Sequence, residues 1–211
     1  MKKIFSLAMA ATLSSSAIVQ ADEIVLPSGM TPLLPAGVEI TSSYLAQNVV
    51  SITKDEKPLV VANNNLIYFT ASTTTDGEEI WVSDGTPEGT HMIKDIVPGS
   101  EGSDPKWLTV VGDKVYFSAN TPEYGAELWV TDGTADGTYM VKDIYDIASG
   151  IGSAPQGLTN FYGKLLFFAM DEESEVLPVR DATIPEKWLY ITDGTADGTV
   201  RIAATPTRLD N

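Results

Sequence analysis

From residue 58 onward, apolar and polar positions alternate in short runs, and nowhere do apolar residues recur at the spacing of an amphipathic helix. The runs at about 107–111, 114–119, 127–131 and 138–144 are rich in β-branched and aromatic side chains and are divided by turn-forming residues. Each therefore predicts a strand, and consecutive runs predict hairpins. The pattern then repeats. Residues 78–96 read EEIWVSDGTPEGTHMIKDI, residues 126–144 read AELWVTDGTADGTYMVKDI, and residues 188–204 read WLYITDGTADGTVRIAA. Upstream of each copy stands a second unit, PLVVANNNLIYFTAS from Pro58, PKWLTVVGDKVYFSAN from Pro105 and PQGLTNFYGKLLFFAM from Pro155.

Gly85 and Gly133 are 48 residues apart, and Gly194 follows Gly133 by 61. Four antiparallel strands in a period of about 40 to 50 residues is the sequence form of a β-propeller blade. In ELWVT, Leu128 and Val130 face one way and Trp129 the other, so both faces are apolar. A sheet with two apolar faces needs cover on both sides, which stacked blades supply and a half-exposed sandwich sheet does not. The predicted fold is all-β and propeller-like, with blades at 58–104, 105–154 and 155–205. The third carries a charged insertion over 171–187, read as a loop, and residues 206–211 form a tail.

Closed propellers typically have four to eight blades. Residues 22–57 are assigned as an extension holding extra strands or a degenerate blade. With three blades, the expectation is a partial propeller whose uncovered faces and edges drive two chains into a six-bladed homodimer.

Composition narrows the partners. The chain of 211 residues has 13 Lys and Arg against 29 Asp and Glu, a formal charge of −16, one His and no Cys. Such a field repels phosphate backbones, so nucleic acid is not an expected partner. Without cysteine, disulfides and thiolate metal sites are excluded. Met1, Lys2 and Lys3 precede an apolar stretch from Ile4 to Leu13 and a small-residue end, Val19-Gln20-Ala21. That layout predicts a signal peptide over 1–21, cleavage before Asp22, and an exported chain, periplasmic or extracellular. No later stretch approaches the roughly 20 apolar residues of a spanning helix, so no membrane span is expected after cleavage.

The run ELWVTDGTADGT at 127–138 resembles the ELWxxDGT-repeat proteins, a group of exported bacterial proteins. The resemblance covers roughly 58–204. The first copy has Glu79-Ile80-Trp81, and the third has Trp188-Leu189-Tyr190 in place of Glu-Leu-Trp. The resemblance implies a propeller-like repeat outside the cytoplasm and no particular chemistry.

Two readings of the DGT segments stand side by side. Asp followed by Gly fits a rigid turn, with the carboxylate accepting backbone N–H bonds. Alternatively, Asp132, Thr134, Asp136 and Asp143 follow the spacing of a calcium loop, as do Asp84, Thr86, Glu88 and Asp95. In the third copy Ala204 replaces the last acid. Trp81, Trp129 and Tyr190 are expected in the core, while Trp107 and Trp188 are candidates for a ligand rim. His91, the single histidine, is read as a strand residue. Glu172, Glu173, Glu175, Arg180, Asp181 and Glu186 of the insertion are the acids and base available to a glycan-cleaving site. The leading expectation is a non-enzymatic binding or structural module engaging protein or surface glycan. A carbohydrate-binding module is the alternative, and a hydrolase ranks third.

Overall fold

The computed structural model describes residues 38–39, 60–146, 150–174, 176–179 and 182–202. The predicted signal peptide, the remainder of 22–57 and the tail 206–211 lie outside the described residues. The described residues are all-β and include three four-stranded antiparallel sheets of the propeller-blade pattern. Blade 1 comprises β2 (Val60–Asn63), β3 (Leu66–Thr73), β4 (Gly77–Ser83) and β5 (His91–Lys94), and a two-residue strand, β1 (Val38–Glu39), pairs with the far end of β3. Blade 2 comprises β6 (Lys106–Val111), β7 (Lys114–Thr121), β8 (Gly125–Thr131) and β9 (Tyr139–Lys142). Blade 3 comprises β10 (Gln156–Phe161), β11 (Lys164–Ala169), β14 (Trp188–Thr192) and β15 (Val200–Arg201). The insertion departs from the expected loop. Its β12 (Val176–Val179) and β13 (Ala182–Pro185) pair as a separate hairpin, because short β-branched runs lie inside the charged stretch.

Turn chemistry sets the hairpins. Asn64 and Asn65 take φ of 48° and 63°, and Tyr162 and Gly163 take 50° and 81°, as a two-residue turn matched to strand twist requires. In blade 2 the left-handed position belongs to Gly112. Repeat identity extends to irregularities: β4–β5 shifts register between Ile80 and Trp81, and β8–β9 between Leu128 and Trp129.

The chain divides after Pro105 into two compact units. The first contains blade 1, whose buried aromatic cluster is Phe69, Ala71 and Trp81 with Ile67 and Met92 against it. In the second unit blades 2 and 3 share one core. Val111, Tyr116, Leu128, Val130 and Val141 of blade 2 meet Leu158, Leu165, Phe167, Trp188 and Tyr190 of blade 3, and Phe167 stacks on Tyr190 at 5.6 Å. This is the lamination that two apolar faces per sheet predicted. Polar bonds cross the seam as well: Asn160 Nδ2 donates to the Val110 carbonyl at 3.0 Å and Thr109 Oγ1 to the Leu158 carbonyl at 3.3 Å.

Candidate functional site

Each DGT segment joins the last two strands of its blade and forms a closed hydrogen-bond circuit. Asp132 Oδ1 accepts from the Thr134 N–H at 2.9 Å and from Thr134 Oγ1 at 2.7 Å, and Thr134 Oγ1 accepts from the Gly137 N–H at 3.0 Å. Thr138 Oγ1 donates to the Thr134 carbonyl at 2.7 Å. Its single hydrogen is then used, so Thr131 Oγ, 2.7 Å away, donates to it and accepts from the Gly133 N–H. The same circuit recurs from Ser83 to Thr90 and from Thr192 to Thr199. The Thr134 and Thr195 hydroxyls hold Asp132 and Asp193 below the usual carboxylate range.

The register separates the acids that calcium spacing selected. Lys94 pairs with Ile80 and Lys142 with Leu128, so Asp95 and Asp143 run on beside Glu79 and Glu127. Asp84 and Asp132 follow the opposite ends of the same strands, roughly 15 Å away at about 3.3 Å per residue. Asp84 and Thr86 meet, as do Asp132 and Thr134, while Glu88 and Asp136 are solvent-facing loop residues. Among the described residues no three Asp, Glu or His side chains converge as a cation cluster.

The more unusual carboxylates are ones the sequence reading passed over. Glu79 and Glu127, the Glu of each E-x-W, are fully buried. Glu127 Oε1 accepts from the Ser153 N–H at 2.7 Å, and Oε2 accepts from Ser153 Oγ at 2.6 Å and the Ile144 N–H at 3.4 Å. Glu79 is held likewise by the Val97 N–H and by Ser103 Oγ. Each therefore clamps the segment leaving its blade to the linker that leads onward. Burial pushes both up to about 7, against the opposing pull of these hydrogen bonds. A signal was present: Gly102-Ser103-Asp104-Pro105 and Gly152-Ser153-Ala154-Pro155 share a Gly-Ser-x-Pro string, and each accompanies an E-x-W.

Blade 3 places Trp188 where Glu would stand and uses a different arrangement. Asp171, buried, accepts from Tyr190 Oη at 2.6 Å and from Arg201 at 3.1 Å, and Arg201 also reaches Glu173 at 2.7 Å. The Arg201 guanidinium lies 4.2 Å over the Trp188 ring. Glu173 holds Arg201 in its charged form even more firmly, and burial together with the Asp171 bond pushes the Tyr190 phenol up. Of the insertion acids, Glu172 is exposed and Glu186 half-buried, while the side chains of Glu175, Arg180 and Asp181 lie outside the described residues.

The two rim candidates differ in exposure. Trp188 is 8% exposed within the seam, and Trp107 is half-buried against the same cluster at φ 65°, a bulge position that Gly157 fills in blade 3. Both rings pack against the cluster shared by blades 2 and 3. Trp81 and Tyr190 are buried and Trp129 partly so, as expected for core residues, and His91 opens β5. Among the described residues, the aromatic pair in the open is Phe161 and Tyr162 at the β10–β11 tip, Tyr162 being 94% exposed.

No family model matches the chain, and no curated protein matches it. Among solved structures it is similar to the α-L-arabinofuranosidase CtGH43 from Clostridium thermocellum ATCC 27405, at 17% identity and a TM-score of 0.30. The match covers 69% of this chain and spans half of that enzyme's chain.

Proposed function

We propose that this chain is an exported, non-enzymatic binding or structural module of the ELWxxDGT-repeat type, which engages a protein or a surface glycan. One observation carries the reading: the chemistry-bearing residues of the repeat signature are engaged inside the fold. Glu79 and Glu127 clamp linkers, and Asp84, Asp132 and Asp193 close their own loops. The repeat thus serves to hold blades, and interaction falls to what the blades display. Expression with its first 21 residues tests the export half, with a processed product starting at Asp22 as the expected result. Incubation with aryl glycosides and polysaccharides tests the rest. The expected outcome is retention on cells or glycan without product release, and turnover that Asp171→Asn or Glu173→Gln abolishes would reject the module reading.

A glycan-binding reading has its own support in the exposed Tyr162 ring, set edge-on to Phe161 at 4.8 Å in a left-handed turn position that blade 2 gives to glycine. A flat ring held in the open is suited to stacking on a sugar face. Glycan retention lost in Tyr162→Ala would favour it.

A further inference from the structure

The two blade-to-blade linkers share a backbone conformation that their residues resist. Asp104 and Ala154 each stand immediately before a proline, and each is held in the left-handed region, at φ of 49° and 48°. That region crowds Cβ against the following carbonyl oxygen, and a proline ring crowds the residue before it further. The first linker is fixed there from several sides. The Ser103 and Asp104 N–H groups both donate to the Glu78 carbonyl, at 3.0 and 3.2 Å, and Ser103 Oγ donates to buried Glu79. Gly102 lies so close to Glu78 that a methyl on it would stand 2.3 Å from the Glu78 nitrogen. Backbone strain imposed by the surrounding fold is a pointer to function.

What distinguishes the two linkers is the side chain at that position. Asp104 is exposed and carries a carboxyl group within ring-closing reach of its own carbonyl carbon, whereas Ala154 has none. Asp104-Pro105 is the single Asp-Pro step in the sequence, and it falls where the first compact unit ends, at Pro105. We propose that this step is a built-in processing site, at which the Asp104 carboxyl group cuts the chain between blade 1 and the two blades that follow. An Asp104 Oδ attacks the Asp104 carbonyl carbon and closes a five-membered ring, while the bond from that carbon to the Pro105 nitrogen breaks. The carboxyl proton passes to this nitrogen, which leaves as a secondary amine. One water then opens the cyclic anhydride and leaves Asp104 as a C-terminus with two carboxyl groups. Breaking the bond releases Asp104 from the proline ring, so strain held by the fold lowers the barrier, and ring closure within one residue needs no second reactant to be positioned. The first product keeps its clamp, because Glu79, Val97 and Ser103 all lie upstream of the cut.

Intact-mass spectrometry of the chain, kept in mildly acidic buffer with protease inhibitors, reads the cut. Two products are expected, one ending at Asp104 and one beginning at Pro105. They should form about tenfold faster from the folded chain than from the same chain in urea, as release of one left-handed residue's strain would give. Asp104→Ala places in the first linker the residue that the second holds at the same φ, and it is expected to stay whole. Ala154→Asp gives the second linker the missing carboxyl group, at a carbonyl that already accepts from Lys187 Nζ at 2.6 Å, and it is expected to be cut before Pro155 as well. Cleavage no faster in the folded chain than in urea overturns the proposal, since that is the ordinary lability of an Asp-Pro bond. A folded Ala154→Asp chain that stays joined at Pro155 overturns it too, as does cleavage of Asp104→Ala before Pro105.

Discussion

A carboxylate wholly removed from water is tolerated only when donors surround it, and Glu127 has three. Glu127→Ala leaves those donors without an acceptor around a new void and is expected to cost about 3 kcal/mol, read as a lowered urea midpoint. The pH dependence follows from direction. Glu79 and Glu127 move from an ordinary 4.5 up to about 7 on folding. Between those values the unfolded chain has released protons that the folded chain keeps. Their contribution is therefore greatest below pH 4.5, falls as pH rises to about 7, and is level above. Asp132 and Asp193 act oppositely, because their folded values lie below 3.8 and their contribution is lost as pH falls through that range. Thermal midpoints are expected to peak near pH 4 to 5, and the double variant Glu79→Gln, Glu127→Gln should flatten the decline toward neutrality. In the DGT loop, a methyl on Gly137 would stand 2.0 Å from Asp132 Oδ1. Gly137→Ala is expected to cost about 2 kcal/mol alone and under about 0.5 kcal/mol in an Asp132→Ala background, a coupling that a double-mutant cycle measures.

Strands, hairpins and their order were legible because alternation and tandem repetition point the same way. The calcium spacing reads differently once the strands are in place: eleven residues in a helix-flanked loop return to one centre, whereas in a hairpin they run past the turn and down the second strand. Glu79 and Glu127 were legible only through the Gly-Ser-x-Pro string that accompanies each E-x-W. A Glu in an alternating strand reads as solvent-facing, and its true environment is supplied by Ser103 and Ser153, well over a strand length away in sequence. The linker also touches the strand directly. Glu78 bridges to Gly102 as a parallel partner, Ala154 N–H donates to the Ala126 carbonyl at 2.9 Å, and a methyl on Gly152 would stand 2.3 Å from Ala126 backbone. Backbone against backbone cannot give way. Gly152→Ala is expected to cost about 3 kcal/mol or more, against about 1 kcal/mol for Gly112→Ala, where only the left-handed φ of 63° is strained and no atom lies within 4 Å. Chemical denaturation of the pair separates crowding from strain.

At the scale of the molecule, acidity and apolar faces are sorted: among the described residues the acids other than Glu39, Glu78, Glu79 and Glu127 stand in loops and linkers, and the blade 3 strands carry none. Divalent cations have no built centre among the described acids, so adding calcium or chelator is expected to move the thermal midpoint by less than about 1 °C, since stabilisation grows only with specific binding to the native state. The clamps bear on how this chain is made. Glu127 waits for Ser153, which emerges from the ribosome later than every strand of its own blade. A fragment cut after Lys142 would keep all four strands of blade 2 and still strand a carboxylate in oil. The natural excision points of this protein therefore lie beyond each Gly-Ser-x-Pro, and a repeat borrowed for engineering should carry its downstream linker with it.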